Sequence, residues 1–268
     1  TKGTAIVTSV LADKKASLET ISSAIELWRE YSVNRLNSEL VGAVVRTGKP
    51  VARIAAARYL AGAGDINAAA LLVADLTGPD ADAERANLAF LKGDKAAADS
   101  ISKAILELDK THCAALGTQA ALLFEAGKNN AALRSSQRAA SECPHQSGLW
   151  VLAARIYSKL GDPANARRTF RQVIDTNKQS EPLTRAFVEW LLSKNNEREA
   201  VAAARRITRS APALISGWRL YSETCIRTRS DCVAEAKRGM FDATTRYGID
   251  LLPGELPPNG LFGRFVIR

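Results

Sequence analysis

A chain of 268 residues with 46% hydrophobic side chains can bury an ample core as one elongated domain or two compact ones, which excludes wholesale disorder. No run of about 18 apolar residues occurs, so no transmembrane helix is expected, and the formal charge of +9 fits either an anionic partner or a generally basic protein. Alanine comes in runs such as RIAAARYLAGAG and EAVAAARRI, and its helix propensity and small size predict an all-α chain with closely packed helices.

The opening TKGTAIVTSVLADKK has no initiator Met and reads as a processed start. Residues 1–49 are expected to hold one or two amphipathic helices, as a degenerate repeat or cap. A helix pair follows in PVARIAAARYLAGAGDINAAALLVADL, marked by Gly64 and Ala69. Downstream a register emerges. Ala98, Ala132, Ala166, Ala200 and Ala234 recur every 34 residues, each five residues after Gly93, Gly127, Gly161, Asn195 or Arg229. Gly and Asn tolerate the left-handed turn that ends a helix, so each unit reads as helix, tight turn, helix. Ala86, Ala120, Ala154, Val188 and Ser222 mark the first helices in the same phase, and Ile105, Ala139, Val173, Ile207 and Phe241 mark the second. Pro144 and Pro212 stop the second and fourth units. The Gly64 pair precedes this series five residues out of phase.

Unit three, LWVLAARIYSKLGDPANARRTFRQVIDTN, carries Trp150, Ala154, Tyr157, Gly161, Ala166 and Phe170. In this it resembles the tetratricopeptide repeat, over about residues 79 to 245. The resemblance implies an α-solenoid of antiparallel pairs wound as a right-handed superhelix. Residues 50–246 would form it, with about six pairs, followed by an extended tail over 247–268. It also implies a concave face, lined by first helices, that takes a protein or peptide.

The register places the four cysteines in two pairs. Cys113 begins and Cys143 ends one antiparallel hairpin; Cys225 and Cys232 flank the turn of the last. Two disulfides are the expected outcome, and with them an oxidising compartment: export, to the periplasm in a bacterium, with anchoring by a segment outside this chain left open. Reduced structural cysteines are the alternative. Zinc held by His112, Cys113, Cys143 and His145 is disfavoured because the first two are adjacent, and a redox dithiol at Cys225 and Cys232 lacks the Cys-x-x-Cys spacing.

On the first helices, the positions that hold a terminal carboxylate in one well-known groove of the family are Gly117 and Ala121, Val151 and Arg155, Arg185 and Glu189, and Arg219 and Glu223. The Lys and Asn of that groove are missing. Arg155, Arg185, Glu189, Arg219 and Glu223 form the candidate partner groove; Arg185 with Glu189 and Arg219 with Glu223 either neutralise themselves at i, i+4 or make a recognition ladder. The basic runs Arg167, Arg168, Arg171 and Arg205, Arg206, Arg209 fall on second helices without interleaved aromatics, which argues against sequence-specific nucleic-acid reading. The tail YGIDLLPGELPPNGLFGRFVIR carries apolar residues that call for a covering surface, as a cap on the solenoid or a docking segment. No phosphate loop, Gly-x-Ser-x-Gly or His-Glu-x-x-His occurs, so neither enzyme nor cofactor is expected. The expected function is a protein-binding scaffold, exported and part of a bacterial envelope assembly; the resemblance to the tetratricopeptide repeat implies pili, secretion or polysaccharide export as the setting, without a choice among them. A groove for an anionic polymer or peptide and a regulatory domain of a larger protein stand as alternatives.

Overall fold

The computed structural model describes residues 9–13, 15–17, 20–21, 24–25, 42, 44–62, 64–144, 146–176 and 180–247. Twelve helices with assigned bounds run in chain order: α1 (Pro50–Gly62), α2 (Ile66–Val73), α3 (Pro79–Leu91), α4 (Lys95–Leu108), α5 (Cys113–Glu125), α6 (Asn129–Glu142), α7 (Ser147–Lys159), α8 (Pro163–Thr176), α9 (Glu181–Ser193), α10 (Glu197–Ser210), α11 (Ile215–Arg227) and α12 (Val233–Tyr247). No strand occurs among the described residues. They divide into two compact units, one ending at Arg171 and one starting at Gln172, with the boundary inside α8. The expected helices over 1–49 lie mostly outside the described residues; of the expected tail over 247–268, Tyr247 is the last residue of α12 and the rest lies outside them.

Each hairpin is built the same way. The first helix ends in a residue of positive φ: Gly93 (86°), Gly127 (73°), Gly161 (79°), Asn195 (56°) and Arg229 (52°). The next amide reaches back to close the turn, from Asp94 to Ala89 O at 2.9 Å through to Ser230 to Cys225 O at 2.9 Å. An Asp or Asn then starts the second helix in three of the five. The side chains of Asp94, Asp162 and Asn196 accept the amides of Ala97, Asn165 and Glu199 at 3.0, 3.0 and 3.4 Å.

The small residues of the register are buried for a packing reason. Ala98, Ala132, Ala166 and Ala200 are fully buried, as are Ala86, Ala120 and Ala154 on the first helices, so the two backbones of a pair approach without intervening side-chain bulk. Repeats two units apart share a second device. The indole of Trp150 donates to Pro144 O at 3.1 Å, and that of Trp218 donates to Pro212 O at 2.9 Å, pinning each first helix to the proline that precedes it. The α1–α2 pair is out of phase because α2 has eight residues where α4 has fourteen, while the following link is one residue longer.

The last hairpin departs from the expected register. Ala234 is exposed and Phe241 only half-buried, whereas Ala236, Met240 and Ala243 are buried. The turn at Arg229 closes in the usual place, but α12 starts four residues after it, at Val233, where the other second helices start two after theirs. The buried positions therefore move by two residues. The reason lies in the side chains. In the earlier units the residue four after the key alanine is Ser102, Ser136, Phe170 or Ala204, all fully buried. The unshifted register would put Arg238 there and bury an unpaired charge; the shift supplies Met240 instead.

In the first unit one acidic group is deeply buried. Glu84 on α3 is 2% exposed, accepts from Arg58 Nε on α1 at 3.2 Å and from Asn87 at 3.1 Å. Burial pushes its carboxyl above the usual range, against the pull of the Arg58 guanidinium. A raised folded-state pKa gives stability that is fullest below the unfolded value and is lost as pH rises through the folded one. Glu84→Gln removes this slope. In urea titrations between about pH 4 and 7, the variant is expected to gain on the parent chain as pH rises. A constant difference between the two would show that the group is not shifted.

Candidate functional site

In the second unit α9 packs against both α10 and α11, so two first helices lie side by side and present one joint face. Charged side chains line it. Arg185 Nε donates to Glu181 Oε1 at 2.6 Å, and its Nη1 crosses to Glu223 Oε2 on α11 at 2.7 Å. Glu189, one turn further along α9, forms an ion pair with Arg227 of α11. Glu189 and Glu223 thus take partners on the neighbouring helix, Arg227 and Arg185 respectively. A pair with the acid N-terminal to the base matches the helix dipole better, and Glu181–Arg185 has that order. Side-by-side packing also brings residues 38 apart within reach, joining Arg185 to Glu223 and Glu189 to Arg227.

Of the five expected groove residues, the structure thus brings Arg185, Glu189 and Glu223 together. Arg219 is half-buried, one turn before Glu223 on the same helix. Arg155 is exposed on α7, in the first unit. Sequence reading missed three members of this face. Glu181 is 5% exposed and anchors Arg185 from below; Arg227 completes the second rung; Ile226 offers a 59% exposed apolar side chain on α11 beside it. Ile226 stands 34 residues after Leu192, so the repeat itself carried the signal.

Gly117, at one of the family's groove positions, has a packing role. A Cβ there would meet Leu149 Cδ2 of α7 at 2.8 Å, so the missing side chain lets α5 and α7 approach. The basic runs on second helices are partly neutralised: Arg205 contacts Glu235 at 2.7 Å and Arg206 contacts Asp175 at 2.5 Å, while Arg168 keeps its charge and donates to the neutral Asn165 Oδ1 at 2.5 Å.

The cysteines sit in the expected pairs at disulfide distance. Cys113 and Cys143 have Cα atoms 6.0 Å apart, Cys225 and Cys232 5.7 Å. The first pair packs with Leu106, Leu116, Leu149 and Trp150 at the open end of the α5–α6 hairpin. His112 caps α5 by accepting the Ala115 amide at 3.4 Å and turns its other nitrogen to Asp80 at 3.4 Å. That contact holds the Asp80 carboxyl below the usual range. His145 lies outside the described residues, and among the described residues no cluster of three His, Cys, Asp or Glu is placed to hold a metal. No described helix is long and apolar enough to cross a membrane.

Residues 123–186 match the family model of the tetratricopeptide repeat. The chain is similar to a thermophilic tetratricopeptide-repeat protein of Thermus thermophilus, with 17% identity and a TM-score of 0.54 over 66% of this chain and all of that one. The fold is that of the tetratricopeptide repeat. A second likeness, to a chain of the APC/C hetero-tetramer Cut9–Hcn1, has 14% identity and a TM-score of 0.51 over 83% of this chain and 45% of that one. No curated protein matches the chain by sequence. In a tetratricopeptide repeat the first helices carry the face that is free of the second helices, and here that face holds the Arg185–Glu223 and Glu189–Arg227 rungs.

Proposed function

We propose that this chain is a non-catalytic scaffold that holds a protein or peptide against the first-helix face of α9 and α11. The observation that carries the reading is the joint face itself. It combines two charged rungs with the exposed Ile226, an amphipathic surface of the kind a peptide meets with one apolar anchor and flanking polar contacts. Its charges are mutually paired, which disfavours a uniformly anionic polymer as the occupant of this face. The two cysteine pairs support an exported protein, stapled in an oxidising compartment, and hence a role in a bacterial envelope assembly such as a pilus, a secretion system or a polysaccharide exporter.

The test is site-specific photo-crosslinking in the native cell. A crosslinker at Ile226 is expected to capture a protein partner, and one at the exposed Asp242 of α12 is not. Glu189→Ala combined with Arg227→Ala removes one rung without leaving an orphan charge, and should reduce the Ile226 crosslink several-fold while the helical circular dichroism stays unchanged. Equal capture from both positions, or none from Ile226, would contradict the assignment of the face.

A further inference from the structure

On the second-helix side of the same unit, an open cleft of about 870 Å³ runs along α10 and the turn that starts α12. Its wall is made by the feature that breaks the repeat register: Ser230, Asp231 and Cys232, which include the extra residues before α12, all line it. Cys232 is tied across the turn to Cys225, so this wall is covalently braced. Val201 and Ala202 supply apolar lining. At its middle, Tyr221 donates to Glu235 Oε2 at 3.0 Å while Arg205 donates twice to Glu235 Oε1, at 2.9 and 2.7 Å, so these three are satisfied by one another.

The charges left over are arranged by polarity. The hairpins set the α9–α10 and α11–α12 turns at one end, where Glu197 and Asp231 stand with the single base Arg198. Toward the C-terminus of α10 stand Arg206, held by Asp175, and Arg209. Glu197, Arg198, Asp231 and Arg209 make no ion pair with other described residues. A uniformly charged polymer is repelled at one end whichever sign it carries. A ligand with a carboxylate and a cation set apart meets an opposite charge at each end, and between them Val201 and Ala202 offer apolar contact beside the Tyr221–Glu235–Arg205 network, whose polar groups satisfy one another. Glu197 and Arg209 are twelve residues apart on one helix, which spans about 18 Å. An extended peptide covers that distance in about five residues.

We propose that this cleft is a second binding site, for an extended peptide segment of a protein partner whose acidic and basic side chains stand about five residues apart, the acid at Arg209 and the base at Asp231 and Glu197. The site goes beyond the first-helix face and stands or falls independently of it.

The experiment uses the full, oxidised chain and labelled synthetic peptides of alanine and leucine carrying one Asp and one Lys, in both orders, separated by from about two to about nine residues. Fluorescence anisotropy is expected to give tightest binding near a separation of five in one of the two orders. Both Arg209→Ala and Asp231→Asn should weaken it by about tenfold or more. These are exposed positions at which substitution leaves the fold intact, checked by thermal melts. Glu189→Ala with Arg227→Ala should leave the affinity unchanged. Absence of binding by every peptide, affinity indifferent to spacing, or binding that survives in the Arg209→Ala, Asp231→Asn double variant would overturn the proposal. So would displacement of the best peptide by inorganic polyphosphate that binds more tightly than the peptide does.

Discussion

Gly239→Ala is expected to destabilise the second unit by about 1 to 3 kcal/mol, although the same change in an open helix would stabilise it by about 1 kcal/mol. Gly239 lies on α12 directly under the ring of Trp218. A Cβ built there falls against three atoms of the six-membered ring, with Cε3 at 2.6 Å. The ring cannot simply swing aside, because its indole N–H is engaged with Pro212 O at 2.9 Å and its body packs on Ile215, Met240 and Ala243. Either the ring moves and gives up that bond, or α12 moves off α11. Chemical denaturation of the variant measures the sum. A raised midpoint would show that α11 and α12 are not in the contact described.

The second large effect is a contrast between neighbours. Ala236→Leu is expected to cost about 1 to 3 kcal/mol by overpacking a fully buried site, and Ala234→Leu close to nothing at an exposed one. The 34-residue spacing alone predicts the reverse. The two variants, compared by the same denaturation curves, decide which register α12 adopts. A larger loss from Ala234→Leu would restore the uninterrupted repeat and remove the cleft wall built by Asp231 and Cys232.

Much of this fold was legible in the sequence because small residues report close helix contacts wherever they recur. Ala98, Ala132, Ala166 and Ala200 were visible for that reason, and the turn residues Gly93 through Arg229 were found with their positive φ. The fifth unit misled because Ala234 and Ala236 are chemically identical, and periodicity cannot choose between them. Arg238 could have decided it, since the core cannot accept that side chain. The rungs of the first-helix face were harder to read. Arg185, Glu189 and Glu223 were picked out, but their partners depend on how α9 lies against α11, and an i, i+4 rule sees only one helix at a time. The second-helix cleft left no trace in the sequence, because it arises from two extra residues in a turn that otherwise closes normally.

The cysteines join the structural and the cellular parts of this account. Cys113 and Cys143 stand 30 residues apart in sequence and Cys225 and Cys232 stand 7 apart, so both links constrain the unfolded chain, the longer one more strongly. The most direct measurement is intact mass with peptide mapping under non-reducing, denaturing conditions, on protein taken from its native compartment with free thiols blocked at lysis. The account predicts no blocked thiol and two linked peptides, Cys113 with Cys143 and Cys225 with Cys232. Four blocked thiols would contradict it, removing both the staple at the α11–α12 turn and the case for export.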